Sequence, residues 1–170
     1  MTFRTLLKQV GLAHRRRTGE RRILRLAALG AGADLAALAS ESPLPSVRLL
    51  ARGAYARWLF GENRLREAST EFLKTRSAVK ETGARAGDYI NLFCLCHLAL
   101  IRGVPGYGDA ARFARQARRS RGVGRSTRLA LAVPALPERA FPGTEITFSV
   151  KPVERPVSTY TTQTPGRTGI

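Results

Sequence analysis

The chain has two cysteines, one methionine, one tryptophan, four lysines and only twelve acidic residues among its 170. Each scarcity excludes something. Two cysteines cannot build a disulfide framework. Cys94 and Cys96 stand two apart in an apolar run, which is the setting of buried thiols in a reducing compartment. No Asn-x-Ser/Thr sequon occurs. The longest apolar stretch, Tyr89 to Ile101, is 13 residues and includes Asn91 and His97, well short of the roughly 20 that a bilayer span requires. The alanine-rich run from Ile23 to Ala39 is interrupted by Arg25 and Asp34. The chain is therefore expected not to be transmembrane. The acids are scattered, with no close pair suited to acid–base work. Neither His14 nor His97 has a carboxylate near it in sequence, and Cys96 beside His97 lies within an apolar run, so no catalytic residue, no cofactor and no small-molecule substrate is predicted. Twelve aromatics fall mainly on core stripes, and none suggests a platform for stacking RNA bases.

What the chain has in excess is arginine. It carries 25, and its formal net charge is +17. The surplus sits in two blocks. From Met1 to Arg25, eight bases face the single acid Glu20. From Arg102 to Arg128, eight bases face the single acid Asp109. Such clusters repel themselves unless a polyanion neutralises them. Arginine is also the better residue for bidentate phosphate contact. The basic balance points to nucleic acid or another anionic surface.

The hydrophobic content of 44% suffices for a core, and the patterning is helical over three-quarters of the chain. A short amphipathic helix is expected over Phe3 to Leu12. Gly11 and Gly19 bracket the cluster Arg15-Arg16-Arg17, which reads as a loop or a helix end. A second helix runs from Arg21 to Ala39 and is weak near Gly30 and Gly32. Pro43 and Pro45 break the chain. Ser46 can cap a third helix ending at Gly61, with Val47, Leu50, Ala51, Ala54, Tyr55 and Trp58 as its apolar stripe. A fourth, Glu62 to Glu81, places Leu65, Ala68, Phe72 and Val79 inward. Asp88 can cap a fifth, Tyr89 to Arg102, apolar nearly all round and so central. Asp109 can cap a sixth, ending near Ser120. Six of the nine prolines lie beyond residue 133. There, 146–150 alternates like one short strand, and Thr159 to Ile170 is too polar to order itself. The expected organisation is a basic N-terminal arm with helices over 1–42, a helical core over 43–128 and an extended tail over 129–170. The acid-free start of the arm has the character of an organelle transit peptide. It is either a targeting signal or a basic arm with a structural role, and an arm that doubles as an address accounts for both features.

Three local patterns bear on function. On the sixth helix Arg112, Arg115 and Arg119 share a face opposite Ala110, Phe113, Ala114 and Ala117, which makes an arginine rail over a packed alanine stripe. The plain alternative is a solvated face, disfavoured because Asp109 alone balances eight bases. Gly122-Val123-Gly124-Arg125-Ser126-Thr127 departs from the phosphate-loop pattern and reads as a helix end followed by a turn. Cys94 and Cys96 lie on opposite sides of a helix and cannot share one ion, so no metal site is predicted. Buried thiols and a hydrogen-bonded core histidine are expected instead.

The segments Arg66-Glu67-Ala68-Ser69-Thr70-Glu71-Phe72 and Gly108-Asp109-Ala110-Ala111-Arg112-Phe113 both carry an acid-alanine pair and then an aromatic one turn later. Over Ser46 to Ser120 this resembles tetratricopeptide helical hairpins. The spacing of 42 residues from Ala68 to Ala110 departs from the family's 34. The fold class expected is all-α, an antiparallel helical bundle or helical-hairpin array. The expected role is a non-catalytic structural subunit of a large ribonucleoprotein, best matched by a mitochondrial ribosome and acting in the matrix, with the cytoplasm as the alternative site. It would be a monomer within a hetero-assembly, held by RNA and neighbouring protein subunits. The phosphate-binding candidates are Arg15, Arg16, Arg17, Arg21, Arg22, Arg112, Arg115, Arg118, Arg119, Arg121 and Arg125. The alternative role is a helical adaptor, or an accessory subunit of a respiratory or ATP-synthase membrane complex, meeting acidic protein or anionic lipid.

Overall fold

A computed structural model describes residues 3–82 and 86–136. The chain is all-α: α1 (Phe3–Ala28), α2 (Gly32–Glu41), α3 (Pro45–Gly61), α4 (Leu65–Thr82), α5 (Gly87–Ile101), a 3₁₀ turn at Val104–Gly106, α6 (Tyr107–Arg119) and α7 (Arg125–Ala130). No strand occurs among the described residues. The strand expected at 146–150 and the polar tail lie outside them.

The first departure from expectation is α1. It is one helix of 26 residues, with no loop around Arg15-Arg16-Arg17. Arg, Leu and Ala are strong helix formers. Gly19, which suggests a break in sequence, serves packing: a Cβ there would stand 2.7 Å from Val47 Cγ2, where α1 lies on the start of α3. The real break comes later. Gly30 adopts φ +65°, open to glycine without strain, and divides the expected Arg21–Ala39 helix into α1 and α2. Gly32 then presses on Trp58, whose six-membered ring would overlap any Cβ at that position. Gly32→Ala is expected to destabilise the protein by about 1–3 kcal/mol through overpacking, read as a lower urea midpoint. An unchanged midpoint would mean that the two helices separate without cost.

The expected caps also differ. α3 starts at Pro45, with Leu44 before it, because proline is pre-set for the first helical position and lacks the N–H that would go unbonded there. Ser46 lies inside the helix. Asp88 and Asp109 sit in the first turns of α5 and α6, whose N-caps are Ala86 and Gly106. In a first turn their charge still complements the helix dipole.

Successive helices pack on one another from α1 to α6, and α3 is the hub, touching α1, α2, α4, α5 and α7. It can do so because small residues surround it. Ala51, Gly53, Ala54 and Ala56 are buried on several sides, along with Val47, Leu49, Leu50 and Leu59. α5 is deeply buried, as its all-round apolar sequence implies, and α3 joins more partners. Tyr55 and Trp58 are only half-buried and stack on each other at 5.9 Å. α4 docks through Ala68, Phe72 and Thr75. Leu65 at its start is exposed, so the inward stripe is shorter than the pattern implies. Ile23, Leu35 and Ala39 from α1 and α2 join the same core as α3 and α5.

Candidate nucleic-acid interface

Consecutive arginines on a helix are spread over different faces, since each residue turns about 100°. On α1 this divides the cluster. Arg17, Arg21 and Arg25 recur at i, i+4 and i+8, on the side turned away from buried Ile23, and all three are exposed. Arg15 and Arg22 border a groove of about 610 Å³ between α1, α2 and the start of α3, which Asp34 and Glu41 also line. Arg16 pairs with Glu20 at 3.0 Å. Residues 12–18 are all exposed, with His14, Arg15 and Thr18 bordering that groove, and Ile23 is the buried anchor of α1. Like charges one turn apart destabilise an isolated helix by about 0.2–0.5 kcal/mol per pair. The Arg17-Arg21-Arg25 row bears that cost in the absence of an external anion.

α6 has the arrangement that its sequence implies. Ala110, Ala111, Ala114 and Ala117 are buried, while Arg112, Arg115, Arg118 and Arg119 are exposed. Alanine lets α6 lie close on α5, and the long side chains project on the far side. The single acid of this block works at the start of the helix: Asp109 holds Arg112 at 3.0 Å and Arg102 at 3.5 Å. Arg112 also lies over the Phe113 ring, 5.1 Å from its centre. The N-terminal end of the rail is therefore partly neutralised from within. At the other end Arg118 donates to the Pro134 carbonyl at 2.9 Å, which ties down the chain beyond α7. Arg121 and Arg125 are exposed on either side of Gly122, whose φ of +72° makes the turn.

Arg128 belongs to the basic block by sequence, yet it is only partly exposed. Its guanidinium donates to the Ser120 carbonyl and reaches the Ala117 carbonyl at 3.5 Å. The Ala117 carbonyl also accepts the Ser120 N–H at 3.2 Å, so Arg128 reinforces a helix end whose last carbonyls lack a full set of helical partners. It lies over the Tyr89 ring at 5.2 Å, and the Tyr89 hydroxyl donates to the Leu131 carbonyl at 2.8 Å. Arg128 is thus a fastening inside the fold. Arg25 is the converse case. It is absent from the candidates drawn from sequence, yet it completes the outward row of α1, and the i, i+4, i+8 spacing would have found it had the segment been read as one helix.

α1 packs on α7 and thus touches the end of the second cationic block. No family model, curated protein or solved structure matches the chain.

The other groups singled out by sequence lie inside. Cys94 belongs to the larger core and Cys96 to the smaller one packed under α6, so they do face opposite ways. Burial pushes both thiols up to about 12, which keeps them protonated and unreactive. His97 is enclosed by Phe60, Phe72 and Phe93, with ring centres 4.4–5.4 Å away. Its Nδ1–H donates to the Phe93 carbonyl at 2.9 Å. Burial brings its pKa down to about 4, more than that hydrogen bond restores. A neutral imidazole in a phenyl cage is a packing element. Among the described residues, no three His, Cys, Asp or Glu side chains cluster as metal ligands, and no helix is long and apolar enough to cross a membrane.

Proposed function

We propose that this chain is a non-catalytic structural subunit of a large ribonucleoprotein, a mitochondrial ribosome being the assembly that suits it best, where its arginines neutralise RNA phosphates. The observation that carries this reading is the packing of α1 on α7, which brings the helix of the first block against the end of the second. Within the two blocks themselves only Glu20 and Asp109 answer sixteen bases. Folding that concentrates like charge is unfavourable by itself and becomes favourable when a polyanion is bound. Tetratricopeptide-like hairpins, α3 with α4 and α5 with α6, would form the protein-facing scaffold for neighbouring subunits. Location in the mitochondrial matrix belongs to the same proposal and rests on the acid-free, basic start of the chain.

RNA affinity measured against salt tests this. The logarithm of the binding constant should fall linearly with the logarithm of salt concentration, with a slope set by the number of phosphates engaged. Replacing Arg112, Arg115 and Arg119 together with glutamine should flatten that slope by about 2–3, roughly one per lost phosphate contact. Absence of RNA binding at low salt, or an unchanged slope, defeats the reading. A second reading, docking on an anionic membrane surface as an accessory subunit of a membrane complex, is favoured by one observation. Val10 is more than half exposed beside the basic residues of α1, as an apolar residue of an interfacial helix is. Binding to cardiolipin vesicles without binding to RNA would select it.

A further inference from the structure

We infer that the outward arginine rows of α1 and α6 take double-helical RNA in preference to single strands, reading the spacing of phosphates and ignoring base sequence. This rests on the RNA reading above and narrows its ligand.

The first ground is where the aromatic rings lie. Proteins that hold single strands lay successive bases on exposed aromatic side chains, and much of their affinity comes from that stacking. Here the aromatic side chains that the structure describes are buried or half-buried, and half-buried Phe113 on α6 is covered by Arg112. Tyr55 and Trp58 stack on each other. Phe60, Phe72 and Phe93 enclose His97. Arginine can also stack on bases, but Arg112 and Arg128 already spend a guanidinium face on Phe113 and Tyr89.

The second ground is rigidity. Arg17, Arg21 and Arg25 rise along α1 in steps of about 6 Å, and Arg112, Arg115 and Arg119 share one side of α6. Both rows stand on regular helices, and α6 is fixed to the core by four buried alanines. Fixed charges match a ligand whose phosphates are also fixed. A single strand would have to be ordered on the face, at an entropic cost that no stacking offsets. An A-form helix is already ordered and offers phosphates and 2′-hydroxyls on its outside, while its deep major groove hides the base edges from side chains.

The test uses the full chain with a labelled RNA duplex of about 16 base pairs, the span of a typical duplex-binding module. One strand of that duplex serves alone as the comparison, and fluorescence anisotropy is followed at stepped salt. The duplex should bind about tenfold more tightly than the strand at equal salt, and scrambling its sequence should leave affinity within about twofold, as backbone contact requires. Replacing Arg17, Arg21 and Arg25 with glutamine should lower duplex affinity at least tenfold and reduce the salt slope, with the helical circular-dichroism melt unchanged. Tighter binding to the single strand, or strong sequence preference in the duplex, overturns this inference and leaves the RNA reading standing. Failure of both probes to bind at low salt removes the RNA reading itself.

Discussion

Phe72→Ala is expected to destabilise the protein by about 3–5 kcal/mol, the range for deleting a buried phenyl ring. Phe72 has no solvent exposure. It meets Phe93 edge-on at 5.8 Å and stacks on His97 at 5.0 Å. The other fully buried side chains of α4 are small, Ala68 and Thr75. The Thr75 hydroxyl is occupied locally, donating to the Glu71 carbonyl at 2.7 Å. One aromatic ring therefore supplies most of the apolar burial that holds α4. Small domains have total stabilities of about 5–15 kcal/mol, so the loss should appear as a large drop in the urea midpoint. Phe72→Leu keeps most of the volume and should cost about 1–2 kcal/mol. Equal, small effects of both changes would mean that α4 is held by its surface contacts, such as the Arg76 Nε–H to Asn91 Oδ1 hydrogen bond at 2.8 Å.

Acidification is expected to weaken the fold through His97. Its folded pKa of about 4 lies below the ordinary 6.5 because burial penalises the charged ring. Below pH 6.5 the unfolded chain binds a proton that the folded chain refuses, so stability falls as pH drops. The loss begins near pH 6.5, grows down to about pH 4 and levels off once the folded ring also protonates. A separation of 2.5 pH units corresponds to about 3 kcal/mol in total. Urea unfolding at about pH 7.5 and about pH 4.5 spans most of that window. Titrating carboxylates contribute in the same range, so the informative quantity is the difference between the native chain and His97→Leu. The variant should lose less stability over the same interval. An identical loss in both chains would show that the phenyl cage admits the imidazolium.

These effects concern the body and leave the arginine face untouched. The fastenings of that face are a different set. Arg128 closes the end of α6, and Arg118 holds Pro134, so substituting either would confuse a loss of charge with a local loosening. The informative substitutions are those that project outward, Arg17, Arg21, Arg25 and Arg119 among them.

The helical spacing of apolar residues was enough to find α3, α4 and α6, and the nearly unbroken apolar run was enough to find α5. The alanine-down, arginine-up character of α6 was legible for the same reason. Where local signals were ambiguous, the pattern misled. Gly19 resembles a helix breaker unless one sees Val47 beside it. α7 was missed because six residues are too few to carry a period, and their helix is secured by long-range contacts: Thr127 and Ala130 are buried, and α7 touches α1 and α3. The division of Arg15, Arg16 and Arg17 over three environments was likewise out of reach while that segment was read as a loop.

By itself the sequence determined the helical class, the absence of a long apolar span, and two blocks of like charge. Those properties follow from composition and period, which are local and additive along the chain. The tertiary structure alone decided that α1 meets the end of the second block at α7, that α3 is the hub, and that Arg118 and Arg128 serve the fold while Arg25 faces outward. Each of these depends on which surfaces meet across long stretches of chain, and that is fixed by packing shape and by unbonded carbonyls at helix ends, not by the neighbours of a residue in sequence.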